Sequence, residues 1–350
     1  MTGELLKLFI PSILTFSIGI LITPIVTHYL YKYKLWKKSS VKMTTDGQVA
    51  ELTNKLHNDE SKKTPRMGGV VVWGSVFLTT GFLALLYVLF PSQTTEELQF
   101  FSREQTWIPL SVMLVAALVG LVDDLSVVKM FGNATGGGLS LKIRIGAIAL
   151  IGTLVGYWLY SKLDLTGLYL PFVGMINVGV LIIPIIVIFM IGIFSGGVID
   201  GIDGLSGGVL ASAFLGFATI AGYQAQFDIA ALCMAIVGGI LAFLWFNIPP
   251  ARFYMSETGM MALTTTLCVV AVLTNSLLVL PIIAFPLVLA AGSSTLQLIW
   301  KKVFKKKLFL VAPIHHHFEA LGWPPYKVVM RFWIVGVFSA TLGVVIHILG

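Results

Sequence analysis

The chain has 350 residues, of which 57% are hydrophobic and 11% are charged, and its formal net charge is +7. Soluble domains carry about 25% charged residues, so this composition excludes a soluble globular protein and predicts an integral membrane protein. The two cysteines, Cys233 and Cys268, lie inside apolar stretches and therefore indicate nothing about a redox compartment.

Ten apolar stretches follow one another along the chain, and most approach the roughly 20 residues that a membrane-spanning helix needs. They cover 8–31, 67–90, 107–122, 143–160, 172–194, 207–223, 229–246, 259–280, 281–300 and 328–349. The first is too long for a cleaved signal peptide, so we interpret it as a span. The sequence thus predicts one all-α membrane domain, residues 1–350, with about ten transmembrane helices.

Positive charge is distributed unevenly between the two sides of this ten-helix arrangement. All of the 23 Lys and Arg residues fall on one side except Lys7, Arg103 and Lys162. Because basic loops stay in the cytoplasm, both termini are predicted to face outward. Membrane topology alone accounts for the positive net charge, so no nucleic-acid partner is needed to explain it. The same excess of cations also suits an anionic substrate.

Acidic residues occur at the ends of several predicted spans, all on the cytoplasmic side. They are Asp123, Asp124, Asp200, Asp203 and Glu257. Carboxylates at membrane depth are costly and usually functional. Helix capping could explain Asp203 or Glu257 singly, since the dipole favours a carboxylate at a helix N-terminus. It does not explain the adjacent pair, which needs water, a lysine or a cation to screen it.

Carboxylate oxygens are the ligands that Mg²⁺ prefers, and Mg²⁺ commonly shares phosphate oxygens with a substrate. The stretch "DGIDGLSGG" (200–208) adds glycines, which allow a backbone to approach a ligand closely. A site of this kind at a membrane edge favours phosphate chemistry, in which positioning and charge neutralisation dominate catalysis.

Three consecutive histidines, His315, His316 and His317, follow the ninth predicted span on the same side. Successive side chains on a helix point about 100° apart, so three neighbours cannot all face one ion. Zinc sites usually leave residues between their ligands. We therefore favour a role in hydrogen bonding to phosphate oxygens, which histidine can perform near neutral pH.

Six stretches of the chain resemble, in order and in loop position, the polyprenyl-phosphate N-acetylhexosamine-1-phosphate transferases. They are "KTPRMGGVVVW" (63–73), "GLVDDLSVVK" (120–129), "GLSLKIR" (138–144), "DGIDGL" (200–205), "WFNIPPARFYMSETG" (245–259) and "APIHHHFEALGWPPYKVVMRFW" (312–333). The last stretch is the most specific, and it is similar to the cell-wall branch that handles phospho-N-acetylmuramoyl-pentapeptide.

The resemblance implies ten helices, a Mg²⁺ cofactor and an active site on the cytoplasmic face of the bacterial inner (plasma) membrane. The implied substrates are UDP-MurNAc-pentapeptide and the membrane lipid undecaprenyl phosphate. The implied products are lipid I and UMP, and a homodimer is a possible assembly.

The resemblance also implies roles for single residues, without any derivation from spacing. Asp123 and Asp124 match the aspartate pair near the lipid phosphate, one of which has been proposed as a base. Asp200 and Asp203 match two aspartates of the nucleotide-side loop. Glu257, together with Asp200, takes the metal-binding position.

Further matches concern the substrate. The histidine triplet 315–317 corresponds to the sugar–diphosphate end, and Tyr254 takes the place of an aromatic residue that stacks on uracil. The remaining substrate-binding positions implied by the resemblance are Lys62, Thr64, Lys142, Asn247 and Gln297.

Several positions depart from the family pattern. Val127 occupies the place of a lysine, and Lys129 is a candidate replacement from a shifted position. Phe194 and Gly197 replace two asparagines, and Glu257 replaces an aspartate. The additional methylene of Glu257 moves its carboxylate by about 1.5 Å if the backbone is unchanged, a displacement that matters in catalysis.

Two alternatives stay open on these residues. One is a sibling transferase that uses UDP-GlcNAc, against which the "APIHHHFE" stretch argues. The other is a non-catalytic scaffold or a transporter, which the departures at Val127, Phe194 and Gly197 keep open. A transporter would place ionisable residues near mid-membrane, whereas here they gather at one face.

Overall fold

The computed structural model describes residues 2–36, 63–103, 105–129 and 138–350. Their α-helices are α1 (Thr2–Lys32), α2 (Gly69–Leu89), α3 (Gln93–Leu98), α4 (Trp107–Lys129), α5 (Leu141–Lys162), α6 (Ile182–Ser195), α7 (Leu205–Tyr223), α8 (Phe227–Asn247), α9 (Ser256–Leu273), α10 (Leu280–Ile283), α11 (Phe285–Phe304), α12 (Ile314–Ala320) and α13 (Pro325–Leu349). Within these ranges, nine helical segments are long and apolar enough to cross a membrane, and a bent pair brings the number to ten. The prediction of an all-α protein with about ten spans is confirmed.

The centre of the bundle consists of α7, α8 and α9, which are buried over most of their length. Such burial fits their sequences, because Gly, Ala, Ser and Thr are frequent in them and small residues let neighbouring membrane helices approach closely. Around this centre, α1 packs on α8, α4 packs on α9, and α13 packs on α7. Small residues permit the closest approaches, since a Cβ atom on Gly120 of α4 would lie 2.3 Å from the carbonyl oxygen of Glu257 in α9.

The third span is longer than its predicted range of 107–122. Helix α4 continues to Lys129, so Asp123 and Asp124 lie on the helix rather than in the loop that follows it. The apolar pattern ends at the two carboxylates, but hydrogen bonds from other elements hold both of them in the fold. These contacts are tertiary, and the local sequence does not reveal them.

The fifth span begins later than predicted. The range 172–194 starts inside a β-hairpin, in which β1 (Gly167–Leu170) pairs antiparallel with β2 (Gly174–Asn177). Phe172 and Gly174 in its turn adopt positive φ angles of 67° and 98°. These angles are incompatible with a right-handed helix, and the apolar segment able to span the membrane is Gly179–Ile199.

The ninth span, predicted as one helix over 281–300, is broken. A segment of Leu277–Ile283 and helix α11 meet at an angle of 81° around Ala284. Pro281 and Pro286 lie in the first turns of the two parts, where a missing backbone N–H does no harm. The eighth span likewise ends at Leu273 instead of residue 280.

Candidate active site

Asp124 is fully buried near the end of α4, and both of its carboxylate oxygens are bonded. Oδ1 accepts a hydrogen bond from Nε of Arg66 at 2.9 Å. Oδ2 accepts two from Thr258, at 2.9 Å from the backbone N–H and at 2.6 Å from the hydroxyl. A buried carboxylate is tolerated when it is paired and hydrogen-bonded in this way. Asp124 thus ties the segment before α2 to the start of α9.

Asp123, the neighbour of Asp124, points elsewhere. Its Oδ1 accepts a hydrogen bond from the backbone N–H of Leu139 at 2.6 Å, just before α5. A Cβ atom on Gly138 would lie 2.9 Å from Val127 and 3.2 Å from Asp123 Oδ1. Val127, at the position of the family's lysine, therefore packs against this turn. The side chain of Lys129 lies outside the described residues.

Glu257 lies in the first turn of α9 and pairs with Arg144 in the first turn of α5. Oε1 of Glu257 is 2.5 Å from Nη1 of Arg144, and both side chains are about three-quarters buried. Lys142, two residues earlier on α5, is exposed. On this helix it is the arginine that contacts the carboxylate cluster.

Asp200 precedes α7 and bridges two backbone segments. Its Oδ1 accepts from the Ser206 hydroxyl at 2.7 Å, and its Oδ2 accepts from the backbone N–H of Ser256 at 2.8 Å. Burial raises the pKa of Asp200 above its ordinary value, whereas these two hydrogen bonds act in the opposite direction. Ser256 holds a positive φ of 57°, which directs its N–H towards Asp200 and places Glu257 beside it.

The loop between Asp200 and α7 is held by bonds from three directions. Asn247 Oδ1 accepts from the backbone N–H of Gly204 at 2.8 Å, and its Nδ2 donates to the Phe253 carbonyl at 2.9 Å. Trp333 Nε1 donates to the Gly204 carbonyl at 3.1 Å. Asp203 Oδ2 accepts from the Ala251 N–H at 3.0 Å. Asn247 therefore positions the nucleotide-side loop suggested by the resemblance.

The three histidines lie on α12, and their rings do not all face the same neighbourhood. His315 and His316 are buried, and both approach Gly201, because a Cβ atom there would lie 2.9 Å from His315 Nε2 and 2.6 Å from His316 Nε2. His316 Nδ1 is 2.6 Å from Glu319 Oε2. His317 faces another loop, where its Nδ1 accepts from the backbone N–H of Leu310 at 3.2 Å. Two rings, not three, border the Asp200 loop.

The other implied substrate residues are distributed around this cluster. The backbone N–H of Tyr254 donates a hydrogen bond to the carbonyl of Pro65 at 2.9 Å. Thr64, which precedes Pro65, is half-buried. Lys62 lies outside the described residues.

Gln297, another implied substrate residue, is engaged with backbone groups. Its Oε1 accepts from the N–H groups of Leu308 and Phe309 at 3.0 and 2.9 Å, and its Nε2 donates to the Phe309 carbonyl at 3.1 Å. In this arrangement its carboxamide organises the loop before α12.

The charges gathered here fit a divalent cation. Arg66 interacts electrostatically with Asp124, Glu257 and Asp200, while Asp123 interacts with Asp124 and with both guanidinium groups. Four carboxylates thus face two arginines in the described part of the chain, which gives an excess of two negative charges when all four carboxylates are ionised. Oxygen donors of this type suit Mg²⁺. No three His, Cys, Asp or Glu side chains converge as a preformed metal group among the described residues.

Arg66, Arg144 and Thr258 were not singled out in the sequence, although each lies inside a quoted motif. The structure assigns all three to the carboxylate cluster. In the sequence, the two arginines are not distinguished from the other loop cations. Phe194 is buried in the core and Gly197 faces Met260, so neither position presents a polar side chain.

Comparison with known proteins bears on this site. The family model described as glycosyl transferase family 4 matches residues 106–275, which include Asp123, Asp124, Asp200 and Glu257. A relative from a Geobacillus species is 31% identical over 339 residues, covering 96% of each chain. Relatives from Bacillus velezensis and Bacillus subtilis are both 33% identical, over 342 and 337 residues.

All three relatives carry the name phospho-N-acetylmuramoyl-pentapeptide-transferase. The match extends from the first spans through α13, so it includes the carboxylate cluster, the Asp200 loop and the histidine helix. The chain is an enzyme of the phosphotransferase class, and it belongs to the family of phospho-N-acetylmuramoyl-pentapeptide transferases.

Proposed function

We propose that the chain transfers phospho-N-acetylmuramoyl-pentapeptide from UDP to undecaprenyl phosphate, giving lipid I and UMP in peptidoglycan synthesis. The observation that carries this proposal is the cluster of Asp123, Asp124, Asp200 and Glu257, gathered from three separate segments at one end of the bundle. Family membership supplies the substrate class.

The proposed reaction is an exchange of one phosphoanhydride bond for another. An oxygen of the lipid phosphate attacks the β-phosphorus of the UDP-sugar and forms a new P–O bond. The bond between the β-phosphorus and the bridging oxygen breaks, and UMP leaves with that oxygen. Because anionic groups meet in this step, charge neutralisation and alignment dominate the catalysis.

The residues divide into three groups for this task. Asp123 lies where the lipid phosphate is expected, beside the α4 end. Arg66 and Arg144 limit the repulsion between carboxylates and incoming phosphates, as guanidinium groups do well. His315 and His316 border Gly201 and can donate hydrogen bonds to the sugar–diphosphate end.

A magnesium ion would be held by Asp200 and Glu257, with Asp123 and Asp124 in electrostatic range. When bound, it neutralises phosphate charge and aligns the diphosphate. Glu257 reaches Arg144 in the described arrangement, so metal binding competes with that ion pair.

Membrane orientation follows from the charge distribution. The cluster lies at the end of the bundle where Lys32, Arg66, Arg252 and Lys301 also lie in the ten-span arrangement. Basic residues mark the cytoplasmic side of a membrane. We therefore place the site on the cytoplasmic face of the plasma membrane, where a water-soluble UDP-sugar is accessible.

A donor comparison tests this proposal. Purified protein in detergent with undecaprenyl phosphate and Mg²⁺ should convert UDP-MurNAc-pentapeptide to a lipid-linked diphosphate and release UMP. UDP-GlcNAc should be a poor donor and a poor competitor. Efficient turnover of UDP-GlcNAc, with none of the muramoyl donor, would assign the chain to the sibling reaction instead.

A further inference from the structure

A cavity of about 450 Å³ lies outside the carboxylate cluster, between the end of α1 and the end of α8. Its lining includes Thr27, His28 and Lys32 from α1, with Phe246 from α8 and Arg252 from the loop that follows. A volume of this size is typical of a small-molecule site. Neither the proposed transfer reaction nor the family match gives this cavity a role.

The cavity has a cationic rim and an apolar wall. Lys32 and Arg252 supply two positive charges to this rim. The guanidinium carbon of Arg252 lies 5.7 Å from the Phe246 ring centroid, which fixes its direction. A ligand for such a site combines an anionic head with an apolar body.

The position of the cavity favours a lipid over a soluble anion. Lys32 is the last residue of the span Gly3–Lys32, and Phe246 lies at the end of the span Phe227–Asn247. The opening is therefore at the level where lipid headgroups meet the hydrocarbon core. Phosphodiester headgroups and acyl chains provide the anionic and apolar parts together.

We propose that this cavity binds the headgroup of an anionic glycerophospholipid, with Lys32 and Arg252 on the phosphodiester and Phe246 beside the first acyl methylenes. Basic residues at span ends also act as simple topology anchors. An anchor needs neither a cavity nor selectivity between lipids of equal chain length, so lipid selectivity separates the two roles.

The test is native mass spectrometry of the full chain in detergent with added palmitoyl-oleoyl phosphatidylglycerol or phosphatidylcholine. The wild type should prefer phosphatidylglycerol by about 30-fold, the size expected for two cations near a headgroup. The double variant Lys32→Gln/Arg252→Gln should lose this preference. The charge-retaining variant Lys32→Arg/Arg252→Lys should keep most of it, which excludes loss through misfolding.

Lys302→Gln/Lys305→Gln is the matched control, because both lysines are exposed and lie outside the cavity. It removes the same charge and should leave the preference intact. Excess inorganic phosphate should displace little lipid. An equal loss of preference in the control, or full displacement by phosphate alone, would overturn the lipid assignment.

Discussion

Arg144 and Glu257 form an ion pair that connects the first turn of α5 to the first turn of α9. Because Glu257 is also a proposed metal ligand, one carboxylate would serve both a helix contact and the proposed metal site. The longer side chain of glutamate suits this double role, since it extends towards the arginine from a helix that is anchored through Thr258 to Asp124.

We expect Arg144 and Glu257 to be energetically coupled. Arg144→Gln and Glu257→Gln should each lower the thermal unfolding midpoint by about 2 °C, as each leaves a partly buried charge unpaired. The double variant should lower the midpoint by less than the sum of the two single effects, because it removes both charges. Thermal unfolding in detergent measures this, and additive losses would disprove the coupling. Lys142→Gln, which removes an exposed cation of the same helix, should leave the midpoint unchanged.

Asp200 should destabilise the fold while serving the reaction. Burial raises its folded-state pKa, so its contribution to stability is complete below the unfolded value of 3.8 and declines as the pH rises through the raised value. At neutral pH, Asp200→Asn removes the free-energy cost of burying a negative charge at this position. Its amide can still accept from the Ser256 N–H and donate to the Ser206 hydroxyl.

The expected result is an unfolding midpoint equal to or above that of the wild type, with transfer reduced by about 100-fold or more. Unfolding is measured without divalent cations, so that a bound metal cannot stabilise the wild type. A clear drop in the midpoint would show that the carboxylate stabilises the loop.

Gly201 should be required for the placement of His315 and His316. A methyl group there would lie within 3 Å of both Nε2 atoms, so Gly201→Ala must displace the two rings. We expect transfer to fall by about 10- to 100-fold although no titratable group is lost. Gly222→Ala is the control, since a methyl group there meets nothing within 4 Å. Similar activities of the two variants would argue against a role for the histidine placement.

Substitution of Gln297 distinguishes a substrate-binding role of this residue from a structural role. Because its carboxamide is bonded to the backbone of Leu308 and Phe309, Gln297→Ala should loosen the loop before α12. We expect a lower unfolding midpoint and a lower kcat, with KM for the UDP-sugar little changed. Steady-state kinetics and thermal unfolding measure these quantities. A rise in KM with unchanged kcat and stability would instead indicate a direct substrate contact.

Much of the architecture could be predicted from the sequence, because the length of an uninterrupted apolar stretch indicates a membrane span. The errors arise where local conformation departs from that pattern. The positive φ angles in the 167–177 hairpin and the 81° bend around Ala284 depend on backbone geometry that hydropathy does not encode. Helix α4 exceeds its predicted end because tertiary contacts stabilise Asp123 and Asp124.

The acidic residues of the candidate site could also be predicted, because carboxylates are rare in so apolar a chain. Their partners could not. Arg66 and Arg144 resemble the other loop cations in sequence, and only the fold brings one to Asp124 and the other to Glu257. The division of the histidines between two neighbourhoods depends on the axis of α12 relative to Gly201, which no local pattern specifies.

The central claim is tested most directly by following both products of the reaction with purified protein. With UDP-MurNAc-pentapeptide, undecaprenyl phosphate and Mg²⁺, the wild type should form lipid I and UMP in equal amounts, and chelation of divalent cations should stop both. Asp200→Asn, if folded as predicted above, should form both products at least about 100-fold more slowly. Absence of both products from folded wild-type protein with any divalent cation would contradict the account.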